Sequence, residues 1–331
     1  MTVREEGKER SNWRSGAKRI LAQYSPLVIF AMLSIVLAVI EPDFRKPNNL
    51  ATVAERTCIV GIVAIGETLV IIAGGIDLSV GSVAALSGVV GALAMTSWGL
   101  PMPVGIALGS ITGLLCGFIN GFLSTKARLP AFIATLGMMM AARGAAMLLT
   151  DGMNVYRLPE AFKFLGGTGP QGRVVPLAIT LVIAVFFSIL LTYTRYGRTL
   201  FATGGNAAGA RLSGVPTDRV RILAFSVAGL LTGFAGMMLT SRTGIGDPKA
   251  AEGMELDAIA ACVIGGASLM GGEGGVLGSL AGALIMNVLV NFFTLSDYKV
   301  YWQNVLIGGL IIGLVFYDTL RKRRAGLIKD V

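Results

Sequence analysis

The sequence contains no histidine, only three cysteines, and just 14% charged residues in 331 positions. Without histidine there is no imidazole acid–base chemistry and no His-ligated metal. Cys58, Cys116 and Cys262 all sit in apolar runs and form no C-x-x-C pair, so they read as small buried residues and not as a disulfide frame or metal clip. Soluble domains carry ~25% charged residues; this chain has too few to cover a water-facing surface. There is no G-x-x-x-x-G-K-[ST] loop to cradle nucleotide phosphates and no H-E-x-x-H pair. No catalytic constellation assembles in their place.

What fills the chain is apolar and small: 54% hydrophobic residues, 45 glycines and a mean hydropathy of +0.72. The apolar runs are continuous and recur at ~20 residues, the length that crosses a bilayer, whereas buried strands need 4 to 8. A β-barrel would alternate apolar and polar positions, and these runs do not. The fold class is therefore all-α: a polytopic helical membrane protein with about ten transmembrane helices, expected near 21–40, 52–73, 78–96, 103–124, 130–149, 174–193, 220–240, 255–271, 275–294 and 300–317. The first run follows a basic stretch, but Glu41-Pro42-Asp43 comes after it with no small-x-small cleavage pattern, so it reads as a retained span and not a signal peptide.

The net charge of +9 raises the question of a nucleic-acid partner. Its distribution argues against one. The bases gather in a tail over residues 1–20, in the loops 124–129 and 194–219, and in a second tail over 318–331. That is the pattern of cytoplasmic segments. It puts both termini inside and makes 21–317 the membrane domain.

The glycines have a mechanical reading. Gly105, Gly109, Gly113, Gly117 and Gly121 repeat every fourth residue and place a smooth face along one span, as Gly229, Gly233 and Gly236 do on another. In lipid such faces let helix backbones approach closely, within a subunit or between two. A faint internal echo also runs between 64–88 and 258–282: Ala-Ile, a glycine pair, Gly-Ser and a further glycine recur. Transporters built from repeats break their helices at corresponding positions.

Ionisable groups inside spans are functional candidates because they are costly there, and Glu67, Asp77 and Arg143 are the notable ones. In "AGGIDLSVGS" (73–82), Gly74 and Gly75 end one helix, while Asp77 and Ser79 suit the start of the next, Asp77 as its N-cap. Asp77 then shapes a break beside the path, contacts the solute, or pairs with a cation such as Arg143. Glu67 tunes the path or faces a cavity. Arg143 snorkels to an interface or meets an acid such as Asp151. Asn120, Asn287, Asn291, Gln303 and Asn304 are further path-lining candidates, with polar contacts between helices as the other use of such amides.

In the loop 195–221, Asn206 is a good N-cap, Ala207 to Leu212 favour helix, Gly214 suits a left-handed stop and Pro216 follows where a helix cannot continue. Thr217 and Asp218 then suit the cap of the next span. The loop thus presents a short surface helix fit to dock in another protein's groove and pass movement to the spans.

Five motifs in chain order now carry a resemblance: "GGIDLSVGS" at 74–82, "TLG" with "RG" at 135–144, "GGNAAGARLSGV" at 204–215, "ELDAIAACVIGGASLMGGEG" at 255–274 and "WQNVLIGGLII" at 302–312. The chain resembles the permease subunits of bacterial sugar ABC importers, the ribose, xylose, arabinose and galactose branch. The resemblance implies a multi-pass protein of the bacterial inner membrane. Its implied partners are an ABC ATPase, a periplasmic sugar-binding protein and a second permease copy or close homologue, in membrane lipid and with no nucleic acid. It implies no cofactor in this chain, with ATP and Mg on the ATPase. It makes 204–215 the coupling helix, matched at Asn206, Ala210, Arg211, Ser213 and Gly214. Ala208 and Gly209 depart from the pattern, where many members carry an acid and an alanine, and a glycine inside a helix costs ~1 kcal/mol. Glu67 departs too, since a neutral residue is expected there; it tunes the path, points to a substrate other than a plain neutral sugar, or is an acid facing the cytoplasm or a cavity. The expected function is translocation of a monosaccharide such as ribose. The alternatives are an ion- or proton-coupled secondary carrier, disfavoured by so few intramembrane ionisable groups, and a membrane-embedded enzyme or scaffold.

Overall fold

The computed structural model describes residues 28–168, 172–296 and 301–324. The expected tail over 1–20, the first part of the 21–40 span and the last residues of the 318–331 tail lie outside this set. The described residues form twelve helices: α1 (Val28–Ile40), then α2 (Pro47–Ile72), α3 (Val80–Thr96), α4 (Met102–Thr125), α5 (Ala131–Thr150), α6 (Val174–Tyr193), α7 (Arg195–Gly205), α8 (Ala207–Leu212), α9 (Thr217–Thr243), α10 (Met254–Ile264), α11 (Val276–Leu295) and α12 (Tyr301–Arg324). A single antiparallel bridge joins Val155 to Gly246 among them.

Five of these helices, α4, α5, α6, α9 and α11, are long and apolar enough to cross a membrane. Helix α2 has the length but carries Glu55, Arg56 and Glu67, and from Thr57 to Ile72 every residue is buried. It is the central column, packed on by α6, α9, α10 and α11. Its acids are partnered there: Glu55 pairs with Arg173 and Arg242, and Glu67 accepts from Asp77 N–H.

The glycine faces lie together within one chain. A Cβ at Gly113 would meet the Gly229 carbonyl and the Gly233 backbone, and one at Gly117 would meet the Phe225 carbonyl and Gly229 Cα. The stripe on α4 thus lets its backbone rest on that of α9, and packing within the subunit is what it serves.

Two of the expected elements change. The 255–271 span is a helix of only 11 residues, ending at Ile264; at 1.5 Å per residue it covers about 16 Å, half a bilayer core. Apolar composition continues past Gly265, but Gly266 adopts φ +90° and the helix stops. Helix α7, which precedes the expected loop helix, is the second change.

The two glycine breaks use the same device. After α2, Gly74 N–H donates to Ile71 O (2.9 Å) and Gly75 N–H to Val70 O (2.9 Å). After α10, Gly266 N–H donates to Val263 O (3.0 Å) and Ala267 N–H to Cys262 O (2.9 Å). Both are Schellman stops, in which a left-handed glycine turns the chain and satisfies the last carbonyls. Each is followed by a short loop and a new helix, α3 or α11, so the echo in the sequence is a shared local structure.

Candidate transport and coupling site

The 73–79 break is held by side chains around it. Asp77 (2% exposed) accepts from Ser79 N–H at 2.8 Å and from the Ser79 hydroxyl at 2.6 Å. Asn120 on α4 donates to Ser79 Oγ at 3.0 Å and, more weakly, to the Asp77 carboxylate at 3.4 Å. From α2, Glu67 Oε1 accepts from Asp77 N–H at 3.0 Å. Glu67, Asp77, Ser79 and Asn120 are thus one buried cluster. Two expectations are corrected here. The N-cap of α3 is Ser79, with no side-chain cap bond, and Asp77 closes the turn two residues earlier. Glu67 faces neither a cavity nor solvent but the break itself.

Arg143 is not part of this cluster. Its Nη1 donates to the carbonyls of Pro248 (2.7 Å) and Ala250 (2.9 Å), pinning the 245–253 loop to α5; neither Asp77 nor Asp151 is its partner. Asn291 pairs reciprocally with Asn49 at the start of α2, at 2.7 and 2.8 Å. Asn287 turns back on its own helix, to Ala283 O at 2.8 Å. These amides serve helix packing. Gln303 is half-buried on α12, and the side chain of Asn304 lies outside the described set.

The expected surface helix is α8. The Asn206 side chain caps it by accepting from Gly209 N–H at 2.9 Å. Gly214 ends it at φ +82°, with Gly214 N–H on Arg211 O (3.0 Å) and Val215 N–H on Ala210 O (3.0 Å). Gly209 does not prevent it from forming. Ala210 is buried, while Leu212 is 91% exposed, a large apolar side chain held out from the surface. Arg211 Nη2 reaches Thr217 Oγ1 (3.1 Å) and Asp218 Oδ1 (2.9 Å), and Lys126 pairs with the other Asp218 oxygen at 3.2 Å. Thr217 and Asp218 therefore strap α8 to α9; the N-cap of α9 is Pro216, not either of them.

This end of the molecule joins the breaks to α8. Gly272 N–H, in the loop after α10, donates to Ile72 O at the end of α2 (2.9 Å). Gly204, at the end of α7 and two residues before the α8 cap, lies against both partners of that bond, so a Cβ there would strike them. Arg221 on α9 donates from Nε to Ala73 O at 3.1 Å, capping α2 with a cation. Sequence reasoning missed Arg221; its signal was a base one helical turn after Asp218. It also missed Glu55, which pairs with Arg173 (2.5 Å) and Arg242 (3.5 Å) near the opposite end of α2. Its signal was an acid beside Arg56, one turn before the apolar run of α2 begins.

Comparison with known proteins decides the class. Residues 49–315 match the family model described as "Branched-chain amino acid transport system / permease component". The chain belongs to this permease family. Among its relatives, the ribose import permease protein RbsC of Bacillus subtilis is 40% identical over 309 residues, 92% of this chain and 95% of the relative. The RbsC of Haemophilus influenzae is 37% identical over 314 residues, 94% and 96% of the two chains. The L-arabinose ABC transporter permease protein AraH of Azospirillum brasilense is 35% identical over 316 residues, 96% and 93%. No solved structure matches. The chain is a sugar ABC importer permease and a multi-pass membrane protein, as the motif resemblance implied.

Proposed function

We propose that this permease carries a monosaccharide, of the ribose or arabinose kind, across the bacterial inner membrane, powered by ATP and Mg bound on a separate ATPase subunit. Two copies, or one with a close homologue, enclose the path, and a periplasmic binding protein delivers the sugar. Both termini in the cytoplasm follow from the basic loops, which puts α8 on the cytoplasmic side. There α8 seats in the ATPase, with Leu212 as the apolar anchor, and Asn206, Ala210, Arg211, Ser213 and Gly214 set its shape.

The observation that carries this reading is the continuity from α8 to the breaks. A surface helix with an apolar tip is strapped to α9 through Arg211 and Asp218, and α9 holds the end of α2 through Arg221. Gly204 meets both breaks. Movement of α8 is thus delivered to the two places where the helices are already interrupted. Gly74, Gly75, Asp77 and Ser79 act in gating through this break; direct contact with sugar is not needed for it.

The test uses the tagged permease with its ATPase in proteoliposomes. Leu212→Asp should leave insertion intact and abolish both ATPase retention and ATP-driven sugar uptake. Full retention and uptake by that variant would remove α8 from the coupling role. Uptake by the permease alone on a proton or sodium gradient would replace the reading with a secondary carrier.

A further inference from the structure

We propose that the buried cluster at the first break is a proton-binding site, with one proton carried on Glu67 Oε2 and the negative charge kept on Asp77. The argument starts from the count of charges. Glu67 is 0% and Asp77 2% exposed, and the Asp77 main chain is hydrogen-bonded to the Glu67 carboxyl. Two carboxylates buried together without a cation cannot both stay ionised. Among the described residues no ion pair involves either of them.

The groups packed around the pair supply no positive charge. Helix α4 contributes Asn120 and Cys116, and α10 contributes Cys262, whose thiol donates to Ala64 O at 3.2 Å. On α9 the nearest base, Arg221, is turned to Ala73 O. On α5, Arg143 is committed to the carbonyls of Pro248 and Ala250.

The hydrogen bonds assign the proton. Asp77 receives three donor groups: Ser79 N–H, the Ser79 hydroxyl and the Asn120 amide. Glu67 receives one, the Asp77 N–H, on Oε1. The carboxylate with more donors keeps the charge. Glu67 Oε2 has no partner, and neither has Asn120 Oδ1, although both are fully buried. Both are acceptors in this structure, so the cluster is short of donors. A proton on Oε2 makes that atom a hydroxyl and leaves Oε1 as the carbonyl oxygen that accepts from Asp77. The site joins α2, the break and α4. The inference concerns this cluster's own chemistry and stands whatever solute the path carries.

The test is infrared difference spectroscopy of the full-length permease in lipid nanodiscs at neutral pH. The wild-type spectrum minus that of Glu67→Gln should show the carbonyl stretch of a protonated carboxylic acid, unchanged when sodium is replaced by choline. Glu67→Gln, isosteric with the protonated acid, should keep the wild-type unfolding temperature, whereas Glu67→Lys should lower it. Absence of the band would overturn the proposal. So would a band that survives in Glu67→Gln and vanishes in Asp77→Asn, because the proton would then sit on Asp77. Sodium-dependent stabilisation of the wild type in place of the band would assign a metal cation and overturn it equally. If Glu67→Gln fails to fold, the band measured in the wild type before and after Asp77→Asn still decides.

Discussion

The two breaks in this permease share a stop signal and a helix restart, and differ in what holds the loop between. The first, over 73–79, is short and fixed by side chains: Asp77 binds Ser79, Asn120 binds both, and Glu67 reaches in from α2. The second, over 265–275, is longer and its backbone takes positive φ at Gly266, Gly271, Gly272 and Gly274. Helices α10 and α11 around it are tied to α2 by neutral groups: Thr68 Oγ1 with Ser279 Oγ at 2.6 Å and with Cys262 Sγ at 3.4 Å. Side-chain hydrogen bonds to a buried carboxylate select one geometry and penalise others. A run of glycines has more backbone conformations available at similar cost. The first break is held by side chains from α2 and α4, the second by bonds within its own loop, among them Ser268 N–H to Glu273 O (3.1 Å), Gly271 N–H to Ser268 O (2.9 Å) and Met270 N–H to Ser268 Oγ (3.3 Å), and both are in contact with Gly204 beside α8.

The largest effect is expected where the breaks are joined. Gly204→Val places a branched side chain on the Ile72 carbonyl and the Gly272 amide. It should destabilise the protein by about 3 kcal/mol or more, read as a lower unfolding temperature and little protein surviving extraction. Next is the first break alone. Asp77→Leu leaves the Ser79 N–H and hydroxyl buried without their acceptor and should cost about 3 kcal/mol, against about 1 kcal/mol for Asp77→Asn. Equal losses in thermal unfolding would remove hydrogen bonding as the reason for the acid. Arg221→Gln loses the charged cap on Ala73 and should cost about 2 kcal/mol. ATP turnover with the partner should persist while uptake falls, and Arg221→Lys should recover part of it. A proportional fall in both activities would make Arg221 a stability residue only. The smallest effect belongs to the second break: Thr68→Val should cost about 1 kcal/mol, measured by the same melt. A loss as large as that of Asp77→Leu would erase the contrast between the two regions.

Features governed by local physics were legible in the sequence. Helix α6 spans 174–193, as its uninterrupted apolar run required. Helix α8 starts after Asn206 and stops at Gly214, because cap and left-handed glycine act within a turn. The glycine stripe signalled close packing, but not that its partner was α9 of the same chain. What stayed hidden depends on residues far apart in sequence. The early end of α10 was masked because glycine counts as neither polar nor a definite stop until its φ is known. Arg143 is open in the sequence to an interface or to an acid, and its true partners stay hidden because a backbone carbonyl has no sequence signature. Asp77 was given the N-cap, whereas its Asn120 and Glu67 contacts come from α4 and from ten residues earlier on α2.

The central claim is that α8 delivers an ATPase's movement to the two breaks. It is tested most directly by ATP-driven uptake of labelled ribose and arabinose in proteoliposomes holding the permease and its co-purified ATPase. The comparison is between Arg211→Glu and Arg211→Glu combined with Asp218→Arg. The account predicts that the single variant, which sets two acids against each other in the strap between α8 and α9, loses uptake, and that the charge-reversed pair regains it. Undiminished uptake in the single variant, or none in the pair despite a bound ATPase, would contradict it.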